Sequence, residues 1–264
     1  MKPKWIVCIA VFGLCCMGAE AGTLLHEDFE DPAYQVGEPP VPPWDDYYVG
    51  WDGSPEYTRG QADVLGVRIR IDDSGISGKS CHFFDTNANV TSGIRRPLVS
   101  PASAVVLEYY MCTANDSYEG AFVHLQGDAG PDYQVAFSNG AYDGLAGHIG
   151  VHGTTEGWIK PDLLAYSENT WYYVRRELDC LADTGLFYVE EVGNPSNNAS
   201  YAIGRNPYCP SNQVEGIGVW TSTSQGADCY IDNITIVPLP GPGLLGIAGL
   251  GLLAWFKRRD SRIT

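Results

Sequence analysis

The sequence predicts an all-β protein built as a two-sheet antiparallel β-sandwich, and three observations carry that expectation. Short apolar or alternating runs recur along the 264 residues, separated by Gly, Asn, Asp and Pro clusters. Glycine and proline number 31 and 17, too many for a helical bundle, while 44% hydrophobic and 12% aromatic content is too apolar for disorder. No window of useful length carries an apolar stripe at the 3.6-residue helical period. Many short strands with turn signals between them bury their faces as sheet on sheet.

In chain order, strands are expected at 24–30, 64–71, 80–85, 105–112, 121–126, 133–138, 147–152, 171–179, 186–191, 214–221 and 228–237. Alternation is clearest in Tyr172-Tyr173-Val174-Arg175-Arg176-Glu177-Leu178-Asp179 and in Tyr230-Ile231-Asp232-Asn233-Ile234-Thr235-Ile236. Residues 36–55, with Pro39, Pro40, Pro42 and Pro43, are expected as a surface loop between the first two strands. No internal repeat or linker divides the segment, so residues 22–237 are expected to form one domain.

The two ends read as targeting sequence. Lys2 and Lys4 precede an apolar run over 5–17, and Ala19-Glu20-Ala21 supplies a small-x-small cleavage site, so residues 1–21 are expected to be a secretory signal peptide. A lipoprotein signal at Cys15 or Cys16 is the rival, but Phe12-Gly13-Leu14 fits a lipobox poorly. At the other end come Pro238-Leu239-Pro240-Gly241-Pro242, an apolar stretch over 243–256 and Lys257-Arg258-Arg259. As a helix that stretch covers roughly 21 Å, short of the ~30 Å hydrocarbon core. This three-part layout over 238–264 resembles the PEP-CTERM sorting signal of bacterial surface and exopolysaccharide-associated proteins, with Pro-Leu-Pro standing for the usual Pro-Glu-Pro. The resemblance implies processing by an exosortase-type enzyme. An ordinary C-terminal membrane anchor helix is the alternative. Either way the domain is expected to be exported and held at the cell envelope or extracellular surface, at least transiently membrane-anchored.

The domain itself carries a second resemblance. Glu27-Asp28-Phe29-Glu30 with Pro42-Pro43-Trp44 resembles the first strand of laminin-G/concanavalin-A-like jelly rolls in secreted bacterial proteins. Thr170-Trp171-Tyr172-Tyr173-Val174 with Asp179 is similar to their central back-sheet strand, and Tyr230-Ile231-Asp232-Asn233-Ile234 to their last strand. The resemblance implies a jelly roll whose last strand pairs with its first. It implies a structural calcium as well, on Asp28, Glu30 and Asp232, since hard oxygen ligands suit that ion. The alternative is that these acids cap turns and bind backbone amides. The sandwich hosts lectins, carbohydrate-binding modules, hydrolases, lyases and plain spacers, so fold alone fixes no function.

Charge and motifs narrow the chemistry. The chain has 32 acidic and 16 basic residues, a formal net charge of −16, and the two ends hold more of the basic residues than of the acidic ones. Such a surface repels phosphate backbones and argues against nucleic-acid binding. Cys81, Cys112, Cys180, Cys209 and Cys229 remain after the signal. In an exported chain two disulfides and one free thiol are expected, with Cys209–Cys229 the favoured pair. His148 and His152 lie about 13 Å apart on a strand, too far to share zinc. Gly75-Ile76-Ser77-Gly78-Lys79-Ser80 lacks the spacing of a phosphate loop, and no Gly-x-Ser-x-Gly elbow occurs. Glu177 and Asp179 alternate on one strand but lack the third acid of a glycosidase strand, so they read as a solvated face.

One cluster remains. Trp44, Tyr47, Tyr48, Trp51 and Tyr57 fall in one polar region with Asp45, Asp46 and Asp52 interleaved. Flat rings beside carboxylates match the apolar face and hydroxyl fringe of a sugar, which makes Trp44, Tyr47, Tyr48, Trp51, Asp52 and Tyr57 the candidate carbohydrate contacts. The alternative is that one or two of them plug the sandwich end. Trp171 and Trp220, set in apolar strands, are expected in the core. The expectation is a non-catalytic surface protein that binds carbohydrate or organises extracellular polysaccharide. A purely structural coat protein and a polysaccharide hydrolase or lyase are the alternatives.

Overall fold

The alternation at 171–179 places Tyr172, Val174 and Leu178 on a buried face and Trp171, Tyr173, Arg175 and Glu177 on a half-exposed one. Strand after strand repeats this period-two division. The computed structural model describes residues 22–50, 56–87, 89–115, 120–127, 130–131, 133–140, 144–153, 157–203, 212–221 and 227–239. The elements begin with β1 (Leu25–Glu27), β2 (Asp45–Gly50), α1 (Arg59–Val64), β3 (Val67–Asp72), β4 (Ser80–Asp85), β5 (Val90–Ala102) and β6 (Ala104–Thr113). They continue with β7 (Phe122–Gly127), β8 (Gly130–Pro131), β9 (Gln134–Ser138), β10 (His148–Gly153) and β11 (Gly157–Ala165). The last are β12 (Trp171–Asp179), β13 (Thr184–Glu191), β14 (Asn194–Ile203), β15 (Val214–Trp220) and β16 (Ala227–Pro238).

The strands form two sheets. The first runs β14-β13-β12-β6-β16-β4-β3 with β1 paired to β16, and the second runs β11-β10-β9-β7-β15-β5-β2 with β8 beside β7. Pairings between these strands are antiparallel, as in β6–β12, β6–β16, β5–β15 and β7–β15. Inward residues of both sheets, among them Phe83, Leu107, Val174 and Phe187 facing Ile94, Leu125, Phe137 and Val219, form one buried core. This is the expected all-β two-sheet sandwich. The first and last strands pair as expected, with Leu25 opposite Ile236 and Glu27 opposite Ile234.

A buried carboxylate fixes the first strand to the second sheet. Glu27 accepts hydrogen bonds from the Phe29 backbone N–H (2.9 Å), the Tyr34 hydroxyl (2.8 Å), Trp44 Nε1 (2.8 Å) and Arg96 Nη1 (3.0 Å). Paired and fully hydrogen-bonded, the charge is tolerated inside.

All eleven expected strands occur; β2, β5, β8, β11 and β14 were not expected. Three of these, β2, β11 and β14, are edge strands, where polar residues and proline are tolerated and the apolar signal fades. Accordingly, residues 45–50 are strand rather than loop. The helix α1 was also unforeseen. It is six residues long, with the Gln61 side chain accepting the Thr58 N–H at 2.9 Å, too short to print a helical stripe.

The cysteine expectation needs correction. Cys81, Cys112 and Cys229 are buried free thiols, so Cys229 is not paired with Cys209. Burial raises all three thiols well above their ordinary value. Cys180 is disulfide-bonded, to a residue outside those described. Among the described residues no helix is long and apolar enough to cross a membrane. The expected signal peptide (1–21) and most of the expected anchor (240–264) lie outside the described residues.

Candidate functional site

The outer face of the second sheet gathers side chains that the strand register aligns in two lateral rows. Directly opposed residues on antiparallel strands share a face. One row runs Asp45, Arg95, Gly218, His124, Gln134, His152 and Trp158, crossing every strand from β2 to β11. The next runs Tyr47, Gly93, Trp220, Phe122, Ala136 and Gly150. The residues between them in sequence, Val123, Val135, Val151 and Val219, point into the core.

Three glycines make this face habitable for rings. A Cβ on Gly218 would lie 2.4 Å from His124 Nε2, one on Gly93 2.4 Å from the Tyr47 ring, and one on Gly150 2.6 Å from the Trp158 ring. Each glycine therefore lets a flat side chain lie against the sheet rather than stand off it.

The rings are joined by neutral hydrogen bonds. Trp220 Nε1 donates to Gln134 Oε1 (3.1 Å), and the same amide donates through Nε2 to His152 Nδ1 (3.3 Å). Gln126 Nε2 lies 3.3 Å from His124 Nε2 and donates to it, which leaves the imidazole proton on Nδ1. Phe122 sits among these groups, its ring centroid 5.5 Å from those of both His152 and Trp220. Trp158 packs edge-on against His152 at 5.3 Å.

Burial governs the protonation states. His124 is 3% exposed, and desolvation, followed by the charge of Arg176, lowers its pKa to about 3. Desolvation also lowers that of His152. Tyr47 is pushed up to about 12 by burial, with Arg95 opposing. His124 and Tyr47 are thus neutral at ordinary pH. Two buried donors, His124 Nδ1 and Trp158 Nε1, have no hydrogen-bond partner among the described residues. An orphan donor of this kind costs about 1–3 kcal/mol until an acceptor arrives.

The residues expected to contact sugar are divided by the fold. Trp44 is 2% exposed with its Nε1 held by Glu27, and Tyr48 is equally buried, so both belong to the core. Tyr57 packs partly buried against that core. Tyr47 alone of the described candidates reaches the outer face; Trp51 and Asp52 lie outside the described residues. Beside β2, a separate cavity of about 580 Å³ is lined by Pro39, Pro40, Pro42, Trp44, Asp45 and Arg59. Trp171 and Trp220, expected in the core, are half-buried on the outer faces of the two sheets. The signal for the outer-face residues was present as alternation in His124-Leu125-Gln126, with polar groups at every second position.

The three acids proposed for calcium converge, and four of their six carboxylate oxygens accept backbone hydrogen bonds. Asp232 Oδ2 accepts the Ile76 N–H (3.0 Å) and Oδ1 its neighbour Asn233 (2.7 Å), while Glu30 Oε1 accepts Lys79 N–H (2.6 Å) and Asp28 Oδ1 accepts Glu30 N–H (3.1 Å). Burial, and more weakly Glu30 and Asp28, raises Asp232 to about 6. No group of three His, Cys, Asp or Glu among the described residues is arranged to hold a metal ion. The backbone-capping role is thus seen directly in these four hydrogen bonds. Glu177 pairs with Arg175 (2.8 Å) on the outer face of the other sheet, and Asp179 caps the Leu181 and Ala182 amides.

No protein-family model matches the chain, and no curated protein sequence matches it significantly. Among solved structures it is similar to a family 16 glycosyl hydrolase protein from Mycobacterium smegmatis, at 13% identity and TM-score 0.47, covering 81% of this chain and 99% of that one. It is similar to peanut lectin at 11% identity and TM-score 0.45, covering 74% of this chain and 98% of that one. A sialidase aligns at 10% identity and TM-score 0.46 over 68% of this chain; the chain spans only 16% of that protein's length. At these identities no property of those proteins transfers.

Proposed function

We propose that this chain is exported, held at the cell surface, and binds carbohydrate without catalysis on the outer face of its second sheet. One observation carries the binding: a single face joins the rings of Trp158, Phe122, Trp220 and Tyr47 to neutral amides and imidazoles with two unsatisfied donors. Sugars offer what such a face lacks, an apolar C–H surface for the rings and oxygens for the donors. The export and attachment rest on residues 1–21 and 238–264, whose layout suits a secretory signal and an exosortase-processed or membrane-anchoring tail. The non-catalytic reading is supported by the two rows themselves, in which Asp45 is the lone carboxylate. Two-acid glycoside hydrolysis needs a facing pair.

The test is retention on a panel of immobilised polysaccharides. The wild-type chain is expected to be retained by at least one, and Trp158→Ala and Trp220→Ala to weaken that retention about tenfold or more, the scale of one lost stacking contact. Trp171→Ala, on the other sheet, is expected to behave as wild type. Folded protein that no polysaccharide retains would favour a purely structural coat protein, and release of reducing ends or unsaturated products would favour an enzyme.

A further inference from the structure

Resting on that carbohydrate-binding reading, we infer that the glycan this face takes is anionic, bearing a uronate carboxylate or a sulfate that Arg95 receives. Arg95 stands on β5 in the same row as His124 and is exposed. Its guanidinium carbon lies 6.0 Å from the centre of the Tyr47 ring, and that ring has its place because residue 93 is glycine. The cation is therefore steadied at the edge of the aromatic face rather than swinging free.

Its lack of a partner sets it apart. Arg59 pairs with Asp46, Arg68 and Arg70 with Asp63, Arg96 with Glu27, and Arg175 with Glu108 and Glu177. Arg176 is buried over the Phe187 ring. Arg95 alone among the described arginines is exposed and has no carboxylate within 4.0 Å among the described residues, although Asp45 stands opposite it in the register. In a chain with twice as many acidic as basic residues, an arginine left unpaired beside neutral donors is the exception. The planar guanidinium fork matches the two oxygens of a carboxylate or sulfate, whereas a neutral sugar leaves that charge unanswered. Lys160, on the far edge strand β11, is already committed to Asp162 at 2.7 Å.

The acidic remainder of the domain repels a polyanion at long range, but at about 0.15 M salt the screening length is only ~8 Å, so contact pairing decides. The test is run there with the full chain against a polyuronate, a sulfated polysaccharide and neutral polysaccharides, with folding checked by circular dichroism. Wild type is expected to retain one of the two anionic polymers at least tenfold better than the neutral ones, and which of the two identifies the anion. Arg95→Gln is expected to reduce that ratio about tenfold, the scale of a charge-assisted hydrogen bond, and Arg95→Lys to restore part of it. Equal retention of charged and neutral polymers, or an anionic preference that survives Arg95→Gln, would overturn this inference while leaving carbohydrate binding in place. Failure to retain any polymer would overturn both.

Discussion

Gly218 shows how tightly the face is built at the scale of single residues. A methyl group there meets His124 Nε2 at 2.4 Å and Cε1 at 2.5 Å, so Gly218→Ala must displace the imidazole from the centre of the row. Overpacking of this kind costs about 1–3 kcal/mol. The variant is expected to lower the urea midpoint accordingly and to lose most polysaccharide retention. Titration offers an independent check. Asp85 is buried, accepts hydrogen bonds from Thr221 Oγ1 (2.9 Å) and the Asn87 N–H (2.8 Å), and is raised to about 7, chiefly by desolvation. A carboxyl raised on folding binds a proton that the unfolded chain has already lost, so its contribution is full below about pH 4 and fades as pH rises through 7. Asp85→Asn is therefore expected to gain stability relative to wild type between pH about 4 and about 8, measured by urea midpoints at each pH. His124 carries the opposite sign: lowered to about 3, it favours folding above about pH 6.5, and that contribution is lost on acidification. None of this was legible residue by residue, because Trp44, Trp171 and Trp220 look alike in sequence. Only the register tells which ring is buried against Glu27 and which lies on an outer face.

Among the elements, legibility followed how strictly burial alternates along the strand. Central strands such as β12 and β16 bury one face in the core and print clean alternation. Others did not. β14 is Asn-Pro-Ser-Asn-Asn-Ala-Ser-Tyr-Ala-Ile with no buried residue, and β5 carries Gly93, Pro97 and Pro101 in a stretch that reads as turns. What recruits β2 to the second sheet is pairing with β5, supported by the Glu27 cluster one turn of chain away. Removing that carboxylate leaves Arg96 and Trp44 Nε1 without their acceptor. Glu27→Ala is expected to destabilise the domain by about 3–5 kcal/mol, read by denaturant unfolding, and to do so far more than Glu38→Ala in the neighbouring loop.

For the whole molecule, composition conveyed the class of structure, while the proposed binding face became visible only when seven strands were laid side by side. Its parts come from β2, β5, β7, β9, β10, β11 and β15, so no local motif contains them. The two outer faces also differ in kind. That of the first sheet carries charged pairs such as Arg175 with Glu108 and Glu177 among its tyrosines, whereas the second sheet presents rings, amides and imidazoles around unsatisfied donors. Backbone hydrogen exchange with and without a retained polysaccharide separates the two directly. Protection is predicted across β7, β9, β10 and β15, with β6, β12 and β13 unchanged; protection centred on β12 and β13, with the second sheet unaffected, would contradict the assignment of the binding face.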